Sequence, residues 1–424
     1  MDNLKVSLHG LLRKSERFFK TDMVYLARGS FWLNGGQILT SLFSFGLALL
    51  FAKFVSKEAF GNYRYILSLA GLMATFSLTG LSTGIIQAVA RGFSGTYIEA
   101  VRILLKWNSL IFVFSLTGAI YYLANGNMLL GYGLVIISIL YPGIKVFESY
   151  ESFLSGKKDF KKSSIYRGIV DICTILATAM CLFFTEDPII LVLANLLTQF
   201  ILDAVFFRNI YKSIPDAEKN KVEPGIIKFS KHLSIQNVLS GLPGYVDKII
   251  VFHFLGASAL AIYTFSAALP LQIKGLMSNF SLMIMPKISE RTAKESVAMI
   301  PKRFFLSLTI LVPIIILYII FAPLIFHILF PTYSEAVPYT RWYVLVLLIM
   351  GNLSGLVLVT QKATKYQYIL TLFGGASQII LMLVLVQPFG LLGIIWAYLI
   401  SKFTTAILSY ILVIKLPHLN KKIV

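Results

Sequence analysis

Long apolar stretches alternate with short polar gaps from Ser30 to Leu416. About a dozen of the stretches approach the roughly 20 mostly apolar residues that a helix needs to cross a bilayer. Backbone amides in lipid must find partners inside their own segment, so runs of this kind are expected to be helices. The pattern places them near 30–53, 65–90, 103–124, 128–147, 164–184, 188–207, 230–254, 260–285, 303–330, 341–361, 367–387 and 390–414. Pro313 and Pro323 are expected to interrupt the ninth, which has length to spare outside the membrane. The fold class that follows is an all-α integral membrane protein of about 12 transmembrane helices, with no room for a sizeable soluble domain.

The flanks and gaps complete the division. Residues 1–29 carry Leu4, Leu8, Leu11, Leu12, Phe18 and Phe19 at near-helical spacing among six basic residues. That pattern fits an amphipathic helix lying on the cytoplasmic face, against the plainer reading of a frayed tail. It has neither the apolar core nor the small-residue cleavage site of a signal peptide. The expected organisation is this segment, an N-lobe of helices 1–6 over 30–207, and a cytoplasmic inter-lobe linker over 208–229. A C-lobe of helices 7–12 over 230–414 and a cytoplasmic tail over 415–424 complete it.

Composition sharpens this picture. The chain is 57% hydrophobic and 13% charged, yet its formal net charge is +19. The excess does not gather in one nucleic-acid-binding domain; it follows the parity of the gaps. Of 38 Lys and Arg residues, 31 lie in one alternate set of gaps and four, Lys53, Lys57, Arg64 and Arg341, in the other. Cytoplasmic loops carry the basic excess, so both termini are expected in the cytoplasm. The opposite gaps, such as Asn125–Asn127 and Glu186–Asp187, are too short to carry an extracytoplasmic enzyme site.

The chain also repeats. In a register offset of 200 residues, Leu33, Leu39, Phe54, Ala59 and Tyr63 fall on Leu233, Leu239, Phe254, Ala259 and Tyr263. Identities in apolar sequence are cheap, but these recur at the same topological point, after span 1 and after span 7. Six spans followed by six in the same orientation form a parallel repeat.

Catalytic and metal-binding patterns are missing. There is no Walker-type Gly-x-x-x-x-Gly-Lys-Ser/Thr, no Ser/His/Asp set, no paired carboxylates and no zinc motif. Cys173 and Cys181 sit eight residues apart in one span, about 12 Å along a helix and too far for a disulfide. The five His residues are scattered. No cofactor and no metal are implied, and the chain is not expected to be an enzyme.

Polar residues inside the spans carry more information. A Lys or Asp facing lipid at mid-bilayer costs about 2.5–3.5 kcal/mol on insertion scales. Asp247, Lys248, Lys274 and Lys402 lie that deep and should face a cavity or a partner. Asp247 and Lys248 are successive residues, about 100° apart on a helix, so they cannot share one narrow seam. Lys248 and Lys274 are the favoured cavity residues; an interhelical ion pair that only holds the bundle is the competing reading. Lys402, in the last span, is expected to be peripheral. Arg167 and Asp171 are one turn apart and read as a surface ion pair. Polar positions Asn34 and Gln37 in span 1 and Gln236 and Asn237 in span 7 are further candidate cavity residues. Pro243 beside Gly244, and Pro270 in span 8, should kink their helices, as hinges or as static packing. Asp247 is the deep carboxylate that could couple an ion or form an ion pair.

These residues support a resemblance. Phe54-Val-Ser-Lys-Glu-Ala-Phe-Gly-Asn-Tyr63 after the first span, and Tyr245-Val-Asp-Lys-Ile-Ile-Val251 leading to Phe254-Leu-Gly256 and Tyr263, resemble signatures of the multidrug/oligosaccharidyl-lipid/polysaccharide (MOP) exporter superfamily. Gly80-Leu81 through Ala90-Arg91, and Phe153-Leu-Ser-Gly-Lys-Lys158, resemble its polysaccharide transport branch, whose Wzx-type flippases handle O-antigen and capsule repeat units. The likeness runs over nearly the whole chain. It implies a V-shaped bundle of two six-helix lobes around a cavity lined by helices 1, 2, 7 and 8. It implies an undecaprenyl-diphosphate-linked oligosaccharide as substrate, moved from the cytoplasmic to the outer leaflet of a bacterial inner membrane. A polysaccharide polymerase or chain-length complex is a candidate partner, and nucleic acid is not. The alternative within the fold is a cation-coupled drug or metabolite antiporter of the MATE type. This chain departs from the cation-coupled exporters in having no acidic residue between Ser30 and Phe54. It departs from the fourteen-span peptidoglycan-precursor flippases in its count and in lacking arginines in span 1.

Overall fold

A computed structural model describes residues 23–289, 293–361 and 363–419. The amphipathic pattern before residue 23 and the tail beyond residue 419 lie outside them. The described residues are helical throughout, with no strand among them. In order they form α1 (Met23–Phe54), α2 (Lys57–Thr75), α3 (Gly80–Ala90), α4 (Gly95–Ala124), α5 (Met128–Phe147), α6 (Tyr150–Gly156), α7 (Phe160–Leu182) and α8 (Pro188–Lys212). There follow α9 (Asp216–Lys219), α10 (Ile226–Gly241), α11 (Pro243–Ser289) and α12 (Ala293–Leu329). A 3-10 turn (Pro331–Ala336), α13 (Val337–Tyr343), a second 3-10 turn (Val344–Gly351), α14 (Ser354–Thr360) and α15 (Thr364–Leu419) complete the chain.

Two of these helices cannot be straight. The apolar part of α15, Thr364–Leu416, has 53 residues and would run about 80 Å at 1.5 Å per residue, against a hydrocarbon core of about 30 Å. It turns back at Gly390, whose φ of 54° is a left-handed value that glycine adopts at no steric cost. The Ser377 and Ser401 hydroxyls meet at 2.9 Å across that turn. In the same way α11 reverses at Gly256, φ 85°, and the Tyr263 hydroxyl reaches Asp247 Oδ2 at 2.9 Å. Each is a helical hairpin joined at one glycine. Of the eight continuous apolar helices, α11 and α15 thus cross twice, and two bent pairs, α2 with α3 (55°) and Pro331–Gly351 with α14 (43°), supply two more spans. Among the described residues the total is twelve, as the hydropathy pattern indicates.

Several boundaries differ from the expected ones. The second span begins at Lys57 rather than 65 and breaks between Thr75 and Gly80. The seventh breaks at Leu242, where Pro243 has no N–H to continue the ladder of α10. The ninth is not interrupted: α12 runs through Pro301, Pro313 and Pro323 as one helix.

The chain forms two compact units, and they do not follow the order of the sequence. The first holds the residues before Phe51, Ser77–Thr185 and Ile189–Leu233; the second holds Phe51–Phe76, Glu186–Pro188 and Ser234 onward. In the first unit α4 and α5 form an antiparallel pair across the Asn125–Asn127 turn, where Asn127 accepts from the Leu130 amide at 3.1 Å and caps α5. Leu81, Ile85, Tyr97, Tyr150 and Phe153 centre its core. The segment 213–225 is strapped to this unit rather than free. Lys157 Nζ meets Glu218 Oε2 at 3.1 Å, Arg91 pairs with Glu223, and the Glu223 amide donates to Thr96 Oγ1 at 2.9 Å.

In the second unit α2 lies antiparallel to the first arm of α11. Pairings between Gly61 and Ala257, Tyr65 and Phe252, Gly71 and Tyr245, and Thr75 and Gly241 keep one register along the seam. Glycine is required at two of these points. A Cβ on Gly61 would stand 1.9 Å from the Ala257 carbonyl oxygen, and one on Gly71 2.1 Å from the Tyr245 ring. The Tyr65 and Phe252 rings stack between them at 3.7 Å. Phe51, Phe60, Phe265 and Tyr333 close one end of this unit, where Lys57 pairs with Glu335 at 2.8 Å.

Candidate functional site

The second unit gathers charge around one carboxylate. Asp247, on the first arm of α11, is 8% exposed. Its Oδ1 accepts from the Lys248 amide at 2.7 Å and its Oδ2 from the Tyr263 hydroxyl at 2.9 Å. Arg64 of α2 and Lys402 of α15 lie close enough to interact with its charge, and Lys274 with that of Lys402. Lys248, the next residue, turns away as the 100° step requires. Its ammonium donates to the Gly244 carbonyl at 2.9 Å and sits 5.4 Å above the Tyr245 ring. Lys402 sits 5.3 Å above Tyr398, which stacks on Tyr343, which in turn meets Tyr263 edge-on. Among the described residues none of Arg64, Lys248, Lys274 and Lys402 forms an ion pair, and Arg64 Nε is buried without a hydrogen-bond partner. Three cations, Arg64, Lys248 and Lys402, thus lie near one carboxylate that is already bonded to a tyrosine and to the main chain, with Lys274 near Lys402.

Two expectations are corrected here. Arg64 does not sit in a loop; it lies two turns inside α2, because the second span starts earlier than its hydropathy suggests. Lys402 is not peripheral, because the hairpin at Gly390 folds the last span back against α11. The signal for Arg64 was present in the sequence as a cation flanked by the apolar runs of α2.

The first unit contains a cavity of about 600 Å³. From α1 it is lined by Gln37, Thr40 and Ser44; from α6 by Glu151; from α7 by Arg167, Val170, Asp171, Thr174 and Ile175; and from α8 by Gln199. Gly36 makes the approach of α1 possible, since a Cβ there would stand 2.6 Å from Ser164 Oγ on α7. Arg167 and Asp171 form the expected pair at 3.0 Å with Arg167 exposed; both also line this cavity, and Arg167 holds Glu151 at 2.9 Å as well. Behind them Asp203 is 2% exposed and accepts from the Tyr150 hydroxyl at 3.4 Å.

The remaining candidates divide between the units. Gln37 lines the cavity of the first unit, and Asn34 is one turn earlier on α1. Gln236 is half-buried and Asn237 exposed on α10. Pro243 starts α11 at the break after α10, and its carbonyl accepts from the buried Gln378 amide at 3.2 Å. Gly244 is exposed, and Pro270 is buried in the second arm of α11. Among the described residues no group of His, Cys, Asp and Glu could hold a metal ion.

The fold is that of the MOP superfamily. An inward-facing multidrug resistance MATE family transporter aligns with a TM-score of 0.73 at 14% identity, over 90% of this chain and 96% of its own. The lipid II flippase MurJ, in an inward closed conformation, aligns at 0.67 and 18% identity, over 90% of this chain and 87% of its own. Residues 26–292 match the family described as "Polysaccharide biosynthesis protein". The chain belongs to that family. Its curated relatives include a Shigella flexneri protein named "Putative O-antigen transporter", 21% identical over 322 residues, covering 72% of this chain and 77% of the relative.

Proposed function

We propose that this protein is a flippase that carries undecaprenyl-diphosphate-linked oligosaccharide repeat units from the cytoplasmic to the outer leaflet, by alternating access, in polysaccharide biosynthesis. The observation that carries this reading is the set of four intramembrane cations, Arg64, Lys248, Lys274 and Lys402, without an ion-pair partner among the described residues. Unpaired charge at membrane depth is costly and is kept where it has a task. A diphosphate offers the compact anionic oxygens that Lys and Arg bind through charge-assisted hydrogen bonds. Membership in a polysaccharide biosynthesis family and the relationship to an O-antigen transporter support the same substrate class.

Direction and drive follow from charge. With Arg64 inside a helix, the uneven spread of basic residues between alternate gaps becomes 31 to three, which supports cytoplasmic termini in the inner membrane. Two negative charges moving out of a negative interior release about 4.6 kcal/mol per 100 mV, from about 2.3 per charge. No nucleotide hydrolysis is needed. Pro243 and Gly244 at the α10–α11 break, with Pro270, are the proposed hinge. Gln37, Asn34, Gln236 and Asn237 are proposed polar contacts. Asp247 is the proposed point of ion coupling, and a polymerase or chain-length complex is the proposed recipient of the product.

The test is transport of fluorescent undecaprenyl-diphosphate-oligosaccharide in proteoliposomes. Lys248→Ala and Lys274→Ala should each abolish flipping at wild-type protein levels, and Arg64→Ala should do the same. Transport retained in all three rejects the site. The MATE-type antiporter is the second reading, favoured by the 0.73 alignment to a multidrug transporter. It predicts resistance to cationic compounds that is lost in Asp247→Asn and kept in the lysine variants.

A further inference from the structure

The cavity of the first unit has a different chemistry from the cationic cluster. Its volume of about 600 Å³ falls in the range of small-molecule sites, roughly 300–1,000 Å³. Eight of its ten lining residues are polar. Five of those are neutral: the amides of Gln37 and Gln199 and the hydroxyls of Thr40, Ser44 and Thr174. Amides and hydroxyls both donate and accept. A wall that offers both kinds at several points suits a ligand made of hydroxyl groups.

The charged residues in the wall are already spoken for. Arg167 is its one cation, and it is held by Glu151 at 2.9 Å and by Asp171 at 3.0 Å. The three together leave one negative charge, which disfavours an anionic ligand. Thr174 supplies an independent sign that something is meant to bind. It is nine-tenths buried, it lines the cavity, and its Oγ1 has no hydrogen-bond partner. Buried hydroxyls normally have one, and a ligand hydroxyl in the cavity would provide it.

We propose that this cavity is the sugar-recognition site, and that it takes neutral, hydroxyl-rich repeat units in preference to uronate-bearing ones. The proposal rests on the flippase reading and adds glycan recognition by the first unit to it.

The experiment measures equilibrium binding to the full-length chain in nanodiscs with three probes. They are bare undecaprenyl diphosphate, the same lipid carrying a neutral trisaccharide, and the same lipid carrying a trisaccharide that ends in a glucuronate. The neutral glycan should tighten binding about tenfold over the bare lipid, as one or two net hydrogen bonds would, and the glucuronate glycan should not. In a Thr174→Val/Gln199→Leu variant the tenfold gain should shrink to less than about twofold, with bare-lipid affinity unchanged and no loss of Tm. A wild type that binds all three probes alike overturns the proposal, as does a variant that keeps the full gain. If Lys248→Ala leaves bare-lipid binding intact while the glycan gain still depends on Thr174 and Gln199, the diphosphate site is wrong and the sugar site stands.

Discussion

The two units solve opposite electrostatic problems with the same helical material. In the first, Arg167 is neutralised within its own cavity by Glu151 and Asp171, and the rest of the wall is neutral. In the second, Arg64, Lys248 and Lys402 share one carboxylate, with Lys274 near Lys402, and that carboxylate is bonded to Tyr263 and the Lys248 amide. A self-paired cavity can rest empty and select by shape and hydrogen bonding. An unpaired cluster stores attraction for an anion, and its own helices bear the cost until the anion arrives.

The strongest way to break this contrast is to remove the carboxylate of the cation cluster, Asp247. Asp247→Ala leaves the buried Tyr263 hydroxyl unpartnered and the cations facing each other, and is expected to cost about 3 kcal/mol. The check is Tm of the full chain in detergent; an unchanged Tm would show that the cations are not coupled through Asp247. Asp247→Asn keeps a hydrogen-bond acceptor for Tyr263 and should lose less.

The seam that brings Arg64 to Asp247 is the next target. Gly61→Ala forces a methyl to within 1.9 Å of the Ala257 carbonyl, and overpacking of this kind costs about 1–3 kcal/mol. Gly244→Ala is its control, because nothing lies within 4 Å of the added Cβ. Equal Tm with reduced transport in Gly244→Ala would assign that position to motion rather than packing. Equal transport would make the α10–α11 break a static feature.

Thr174→Val should move stability the other way. Removing a buried hydroxyl that has no partner is expected to raise stability by about 1 kcal/mol or less, while weakening recognition of the neutral glycan. A stability loss would mean that Thr174 serves the fold.

The smallest effect is expected at the strap on the first unit. The Ser94 hydroxyl and the Lys157 ammonium hold the Glu218 carboxyl below its ordinary range. A carboxylate held down in the folded state stabilises above its unfolded pKa and loses that contribution as pH falls through its lowered folded value. Glu218→Gln should therefore shift Tm slightly at neutral pH, not at all in strong acid, and less in high salt. A shift that is independent of pH would remove charge from the explanation.

Much of the architecture was legible along the chain. Apolar runs near bilayer length, the parity of Lys and Arg, and the repeat of Phe54 and Tyr63 at Phe254 and Tyr263 are local quantities, counted without knowing any contact. Helix edges were less legible. Pro313 and Pro323 look like breaks but sit inside α12, since a proline removes one main-chain bond and neighbouring turns carry the helix through. Thr75 to Gly80 look continuous but bend by 55°. The site was legible only in part. Asp247, Lys248 and Lys274 announce themselves because charge inside an apolar run is rare. Arg64 was hidden by an uncertain span edge, Lys402 by an unseen hairpin, and Thr174 and Gln199 by being ordinary polar residues in long helices.

What the order of residues determined by itself is the solvent each segment must meet, because transfer from water to lipid depends on composition over about 20 residues and on nothing distant. That was enough for twelve spans. Which polar side chains meet depends on the register between helices far apart in sequence. Here it is decided by a few close approaches, Gly36 to Ser164, Gly61 to Ala257 and Gly71 to Tyr245, and by reversals at Gly256 and Gly390. Only the folded chain brings Arg64 to Asp247 and Gln37 to Thr174.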